Sequence, residues 1–166
     1  MTNAEKYDFE AAFGVVDEAL AAMPEDETLT ALRAELVEKQ DKAPVWLVNC
    51  AAVDPQNIRM VTDGVTDIRN NGYSNAICGE ADGAQVSYHL GGEFQTLTGI
   101  VYPNTTDPNF VRGFHVYGDG NELYAAIING GDDPMEISVN VSGVNDITVV
   151  IDGYMEEPTY LANATL

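Results

Sequence analysis

The residues of this sequence best suited to chemistry are tyrosines, amides and carboxylates spread along stretches that read as loops. Tyr73, Tyr102 and Tyr154, with Arg112 and the amides Asn70, Asn71 and Asn104, offer rings and planar hydrogen-bonding groups. Such a set can hold a pyranose, which has an apolar face and a rim of hydroxyls. Each tyrosine reads equally well as a half-buried strand residue with a wet hydroxyl, and Arg112 as an ion-pair partner among many carboxylates. Asp107, Asp132 and Asp133 are hard oxygen donors in expected loops, which makes structural calcium a candidate although their spacing is not that of an EF-hand. Asp119 is better explained by the turn it occupies. His89 and His115 fall on separate strands and form no metal motif by spacing.

Catalytic signatures are missing: there is no GxSxG, no HExxH and no phosphate-cradling glycine loop. Acidic abundance supplies chance carboxylate pairs everywhere, so a glycosidase pair cannot be picked out, and no enzyme is expected. Cys50 and Cys78 lie outside any CxxC pair. They permit one disulfide or two half-buried thiols, and their spacing leaves that choice open. Asn104-Thr105-Thr106, Asn140-Val141-Ser142 and Asn163-Ala164-Thr165 fit the N-glycosylation pattern, which a bacterial source would make incidental.

The elements that must position these groups emerge from periodicity. Over Glu5 to Met23 the apolar residues Phe9, Phe13, Val16, Leu20 and Met23 recur at spacings of four and three, one helical stripe that Pro24 ends. A second helix, capped by Asp26 or Thr28, carries Leu29, Leu32 and Leu36 to about Gln40. The two predict a helical hairpin over residues 1–43, with two roles open to it: packing on the rest of the chain, or self-association. Lys42-Ala43-Pro44 reads as a linker.

From residue 44 onward helical periodicity stops. Val45 to Cys50 alternates as a strand, Asp54 to Asn57 reads as a turn, and Asp63 to Asn75, rich in Asp, Asn and Gly, reads as a long ordered loop. Short strands come next at Ala76 to Cys78, Ala84 to Leu90, Phe94 to Val101, Met135 to Val141, Ile147 to Ile151 and Tyr160 to Leu166. Between them, Arg112 to Ile128 is a hairpin around Gly118-Asp119-Gly120. Many short strands without intervening helices predict a mainly β domain, an antiparallel sandwich or jelly roll, over residues 44–166.

Seven Lys and Arg stand against 27 Asp and Glu, a formal charge of −20, which repels phosphate backbones and anionic lipid surfaces. Nucleic acid is therefore not expected as a partner. Nor is membrane insertion, because no apolar run approaches the ~20 residues that span a bilayer and no signal segment opens the chain. With 45% hydrophobic and 8% aromatic residues the chain reads as folded despite its acidity.

Three segments taken together, YHLGGEFQTLTGIVYP (Tyr88 to Pro103), FHVYGDGNELYAA (Phe114 to Ala126) and MEISVNVSGVNDITVVID (Met135 to Asp152), resemble in order and spacing the NPCBM family of carbohydrate-binding modules. The upstream TDIRNNGYSNAI and the closing LANATL resemble versions found in bacterial surface proteins. This resemblance implies a galactose-binding-like jelly roll over residues 44–166. It also implies a non-catalytic accessory module of secreted or cell-wall-attached bacterial proteins, some of which bind glycans. Sugar-binding relatives carry a Gly-His-Ala stretch where this chain has Ala76-Ile77-Cys78-Gly79-Glu80-Ala81. That departure keeps open an alternative, a structural or protein-interaction domain that has lost the sugar site.

Overall fold

The computed structural model describes residues 9–41, 43–153 and 157–166, and its contacts divide into two compact units, Met1–Pro44 and Val45–Leu166. The first is a pair of helices, α1 (Phe9–Ala22) and α2 (Glu27–Asp41). The expected start of the first helix at Glu5 lies outside the described residues. Val16 is buried, Phe13 and Leu20 are half-buried, and Met23 lies beyond the helix end, exposed. Of the two expected caps Asp26 is the one used: its Oδ1 accepts the N–H groups of Thr28 at 2.8 Å and Leu29 at 3.0 Å, satisfying donors that a helix start leaves free. Arg33 joins the helices by bonding Asp17 at 2.7 Å while lying over the Phe13 ring.

The second unit is a sandwich of two antiparallel sheets. One contains β1 (Ala52–Gln56), β6 (Ala84–His89), β11 (Asp146–Asp152), β8 (Val111–Gly118) and β9 (Asn121–Asn129), in that spatial order. The other runs β10 (Met135–Asn140), β7 (Thr96–Pro103), β12 (Thr159–Thr165), β5 (Ala76–Gly79) and β2 (Ile58–Val61). A short ribbon of β3 (Val65–Thr66) and β4 (Gly72–Tyr73) interrupts the Asp- and Asn-rich stretch that reads as a loop. Between the sheets lies the main core, including Ile77, Val86, Tyr88, Leu97, Phe114 and Leu161. The alternation legible in Met135 to Val141 is realised, with Ile137 and Val139 buried and Glu136, Ser138 and Asn140 exposed.

Two sequence expectations fail locally. Val45 to Cys50 is not a strand: Trp46 makes a single bridge to Thr165 and the chain then tightens into a 3₁₀ turn over Leu47–Asn49. Asp54 to Gln56 belongs to β1 rather than to a turn, and the reversal falls on Asn57, at φ 51°. β2 is a strand that the sequence pattern does not announce. The hairpin is where the sequence puts it, with Asp119 and Gly120 at φ 48° and 80°, the paired positive angles of a type I′ turn. The Asp119 carboxylate also accepts the N–H groups of Asn145 and Asp146, which ties this turn to the β10–β11 connection.

Sheet topology brings the β1–β2, β5–β6, β7–β8, β9–β10 and β11–β12 connections to one pole of the sandwich. At the other pole Val45 and Leu166 exchange backbone hydrogen bonds of 3.3 and 2.9 Å, so the two ends of the unit lie side by side. Cys50 and Cys78 are both free thiols. They cannot meet, because Cys50 packs against the main core while Cys78 projects from the opposite face of the second sheet.

Candidate functional site

That outer face of the second sheet is itself apolar. Ala76, Cys78, Tyr102, Tyr160 and Ala162 alternate with the inward residues of β5, β7 and β12, and the ribbon covers them with Val65 and Tyr73. The result is a stack of three tyrosines: Tyr73 on Tyr102 with ring centroids 5.1 Å apart, and Tyr102 on Tyr160 at 5.2 Å. Tyr102 is fully buried between its neighbours and presents no ring face to solvent, and its hydroxyl has no hydrogen-bond partner among the described residues. Burial raises the pKa of Tyr102 and of Tyr160 above the ordinary phenol range.

The ribbon is shaped by Asp67, a residue absent from the sequence-derived candidates. Its Oδ1 accepts the N–H groups of Arg69 at 2.8 Å and Asn71 at 2.9 Å, and its Oδ2 accepts the Asn71 amide at 2.8 Å and the Tyr73 hydroxyl at 2.9 Å. Burial pushes the Asp67 carboxyl upward, but these bonds outweigh it and hold the pKa below the ordinary value. Burial, and the bond to Asp67, push Tyr73 up to about 12. Asn71, through its amide nitrogen, and Tyr73, through its hydroxyl, two of the candidates, thus bond to Asp67 within the ribbon.

A depressed carboxyl pKa fixes the sign of its pH dependence. The stabilisation is complete above the unfolded value of about 3.9 and is lost as pH falls through the lower folded value. Asp67→Asn should therefore be less stable than the parent by about 2 kcal/mol at neutral pH, and the gap should close below about pH 4. Urea titrations of both proteins from pH 7 to pH 3 check this, and a gap constant across that range contradicts it.

Arg112, the second residue of β8, lies beneath the loop pole and is completely buried. Its Nη1 donates to the carbonyl of Ala81 at 3.0 Å and its Nη2 to that of Glu157 at 3.3 Å, while the guanidinium lies 5.8 Å from the Phe110 ring. Burial lowers its pKa, and Asp82, Glu157 and Asp152 oppose that shift. Arg112 thereby ties the β5–β6 connection to the one before β12.

The remaining candidates also gather at this pole. Asn104 donates its N–H to Pro158 at 3.0 Å and leaves its side-chain amide without a partner among the described residues. Asn70, at φ 64°, exposes its side chain. Asp107 accepts the backbone and side-chain N–H groups of Asn109, Asp132 those of Asn129, and Asp133 pairs with Arg69, which also reaches the carbonyl of Gly131. Each of the calcium candidates is therefore engaged by the protein, and among the described residues no group of three or more His, Cys, Asp or Glu is placed to hold a metal. Tyr154 lies outside the described residues. His89 and His115 project from the first sheet, His89 paired with Asp146 and His115 set between Glu122 and Asp152.

A family model described as the NPCBM/NEW2 domain matches residues 45–162. No curated protein matches the chain. Among solved structures, the CBM51 from Clostridium perfringens GH95 in complex with methyl-galactose superposes with a TM-score of 0.58 at 15% identity, over 75% of this chain and 99% of that one. The structure of CBM51-2 in complex with GlcNAc and INT domains from Clostridium perfringens ZmpB gives 0.60 at 15% identity over 74% of this chain. The M60 catalytic domain with the CBM51-1 and CBM51-2 domains from the same protein gives 0.60 at 14% identity, again over 74% of this chain. This chain spans 31% and 15% of those two ZmpB chains. At such identities the likeness is one of fold, and it makes the β unit a galactose-binding-like sandwich.

Proposed function

The chain belongs to the NPCBM/NEW2 domain family, and on that premise we propose that its β unit is a non-catalytic carbohydrate-binding accessory module of a bacterial extracellular or cell-surface protein. The family match over residues 45–162 carries the reading. The gathering of the inter-sheet loops at one pole supports it, because loops held by a rigid sandwich are where such scaffolds present ligand-binding groups. Among the described residues, the side-chain amides of Asn70 and Asn104 make no bond within the protein and can meet a sugar hydroxyl there. Among the described residues no helix is long and apolar enough to cross a membrane.

A specific observation favours a second reading, a protein-interaction domain without a sugar site. Ala76, Ile77, Cys78 and Gly79, in the stretch that departs from Gly-His-Ala, are all buried in β5, and Glu80 is engaged by Arg59 at 2.5 Å. A glycan array followed by calorimetric titration with galactosides and N-acetylglucosamine separates the two. The carbohydrate reading expects binding of at least one neutral sugar with a Kd in the millimolar range or tighter. Blank results in both measurements would leave the second reading.

A further inference from the structure

Away from the loop pole, the outer face of the second sheet holds a groove of about 480 Å³, lined by Thr98, Gly99, Ile100, Glu136, Ser138 and Asn163. Its volume lies within the range of small-molecule sites. Two of its walls are cross-strand pairs on one face, Glu136 opposite Ile100 and Ser138 opposite Thr98. The third is Asn163, which sits at φ 46° where the β12 register shifts between Ala162 and Thr165. A side chain held in that backbone region needs surroundings that fix it, and such positions cluster at functional sites.

Here the fixing contacts are explicit. The Asn163 Oδ1 accepts the N–H groups of Ser74 at 3.0 Å and Asn75 at 3.4 Å, and its own N–H donates to the Asn75 carbonyl. With the oxygen occupied, the amide nitrogen is left as a donor without a partner among the described residues. The groove thus combines an oriented amide donor, a carboxylate acceptor at Glu136, a hydroxyl at Ser138 and an apolar patch at Ile100. It has no cationic lining residue and belongs to a chain of formal charge −20, so an anionic ligand is disfavoured. Alternating hydroxyls and a C–H face complement the set: hydroxyls donate to Glu136, accept from Asn163 and leave carbon to Ile100.

We propose that this groove is a neutral-saccharide site separate from the loop pole. The ligand class rests on the carbohydrate reading above, whereas the location rests on Asn163 and the two cross-strand pairs. The test is an amide-resolved NMR titration of the full chain with methyl galactoside, with N-acetylglucosamine and with glucuronate. A neutral sugar is expected to move the amides of Thr98, Ile100, Ser138 and Asn163, and glucuronate to leave them unmoved. Ser138 is exposed, and among the described residues its side chain makes no bond across the groove, so Ser138→Leu should weaken that response at least tenfold with an unchanged melting temperature. Glu136→Gln should weaken it several-fold. Shifts confined to the loop pole would overturn the groove and leave the carbohydrate reading standing. No shift with either neutral sugar would overturn the groove, and the glycan array then decides the carbohydrate reading separately. Groove shifts that survive Ser138→Leu, or that glucuronate reproduces, would also overturn the proposal.

Discussion

Arg112→Ala should cost the β unit on the order of 4 kcal/mol of unfolding free energy. The side chain is completely buried and donates to two carbonyls from separate connections, Ala81 and Glu157. Truncation removes these bonds, leaves the two half-buried carbonyls without their donor, and opens a cavity beside Phe110, terms worth roughly 1 to 3 kcal/mol each. Arg112→Lys should recover about half of the loss: an ammonium keeps the charge but cannot place a rigid fork between two acceptors. Urea denaturation followed by circular dichroism measures both variants, and a midpoint shift of about 2 M is expected for the alanine. An alanine variant within about 1 kcal/mol of the parent would show that the buried guanidinium is not what ties these connections together.

The second large effect is expected at Gly130, where the obstacle is purely steric. A Cβ built there would stand 1.9 Å from the Asp107 carbonyl oxygen and 2.8 Å from its carbon. These are backbone atoms, and the loops are further locked by bonds from Gly130 to Phe110 at 2.9 Å and from Gly131 to Thr105 at 2.8 Å. No rotamer change relieves such a contact, so Gly130→Ala should lose about 3 kcal/mol, the upper part of the usual overpacking range. Gly131→Ala provides the control. That residue sits at φ 82° with open space around its Cα, so only the left-handed backbone penalty of about 1 kcal/mol is expected. Thermal melts of the pair decide the matter, and equal losses would mean that the loop simply moves aside.

The Arg112 to Ile128 hairpin was legible because two independent signals coincide there, alternation in the strands and an Asp-Gly pair demanding positive φ. Met135 to Asn140 was legible because one face is wet. Where both faces of a strand are apolar, alternation stops discriminating: Tyr102 looks like a core residue from either side, and only the ribbon shaped by Asp67, which lays Tyr73 on it, decides which surface it joins. Val45 to Cys50 has a strand-like pattern, but only its first residues find a partner, on Thr165 and Leu166, contacts separated by the whole length of the unit. β2 is four residues long and carries an exposed Arg59 at its centre, too little pattern to register.

The candidate site was less legible for a related reason. Asp and Asn in loops look the same whether they face a ligand or bond their own backbone, and Asp67, Asp107, Asp119 and Asp132 all do the latter. Tyr102 and Arg112 were singled out by residue type, yet both are interior groups. The residues that line the groove, Thr98, Glu136, Ser138 and Asn163, converge only through sheet registry, which no local window of sequence contains.

The side-by-side ends of the β unit also have a mechanical meaning. Val45 and Leu166 are joined by two antiparallel backbone bonds, with the Trp46 to Thr165 bridge beyond them. A force pulling residues 45 and 166 apart acts across these bonds and opens them one at a time, like a zipper, instead of loading a whole ladder in shear. The first give under tension is therefore placed at that seam, at the pole away from the β7–β8 and β9–β10 connections, whose lacing carries none of the initial load.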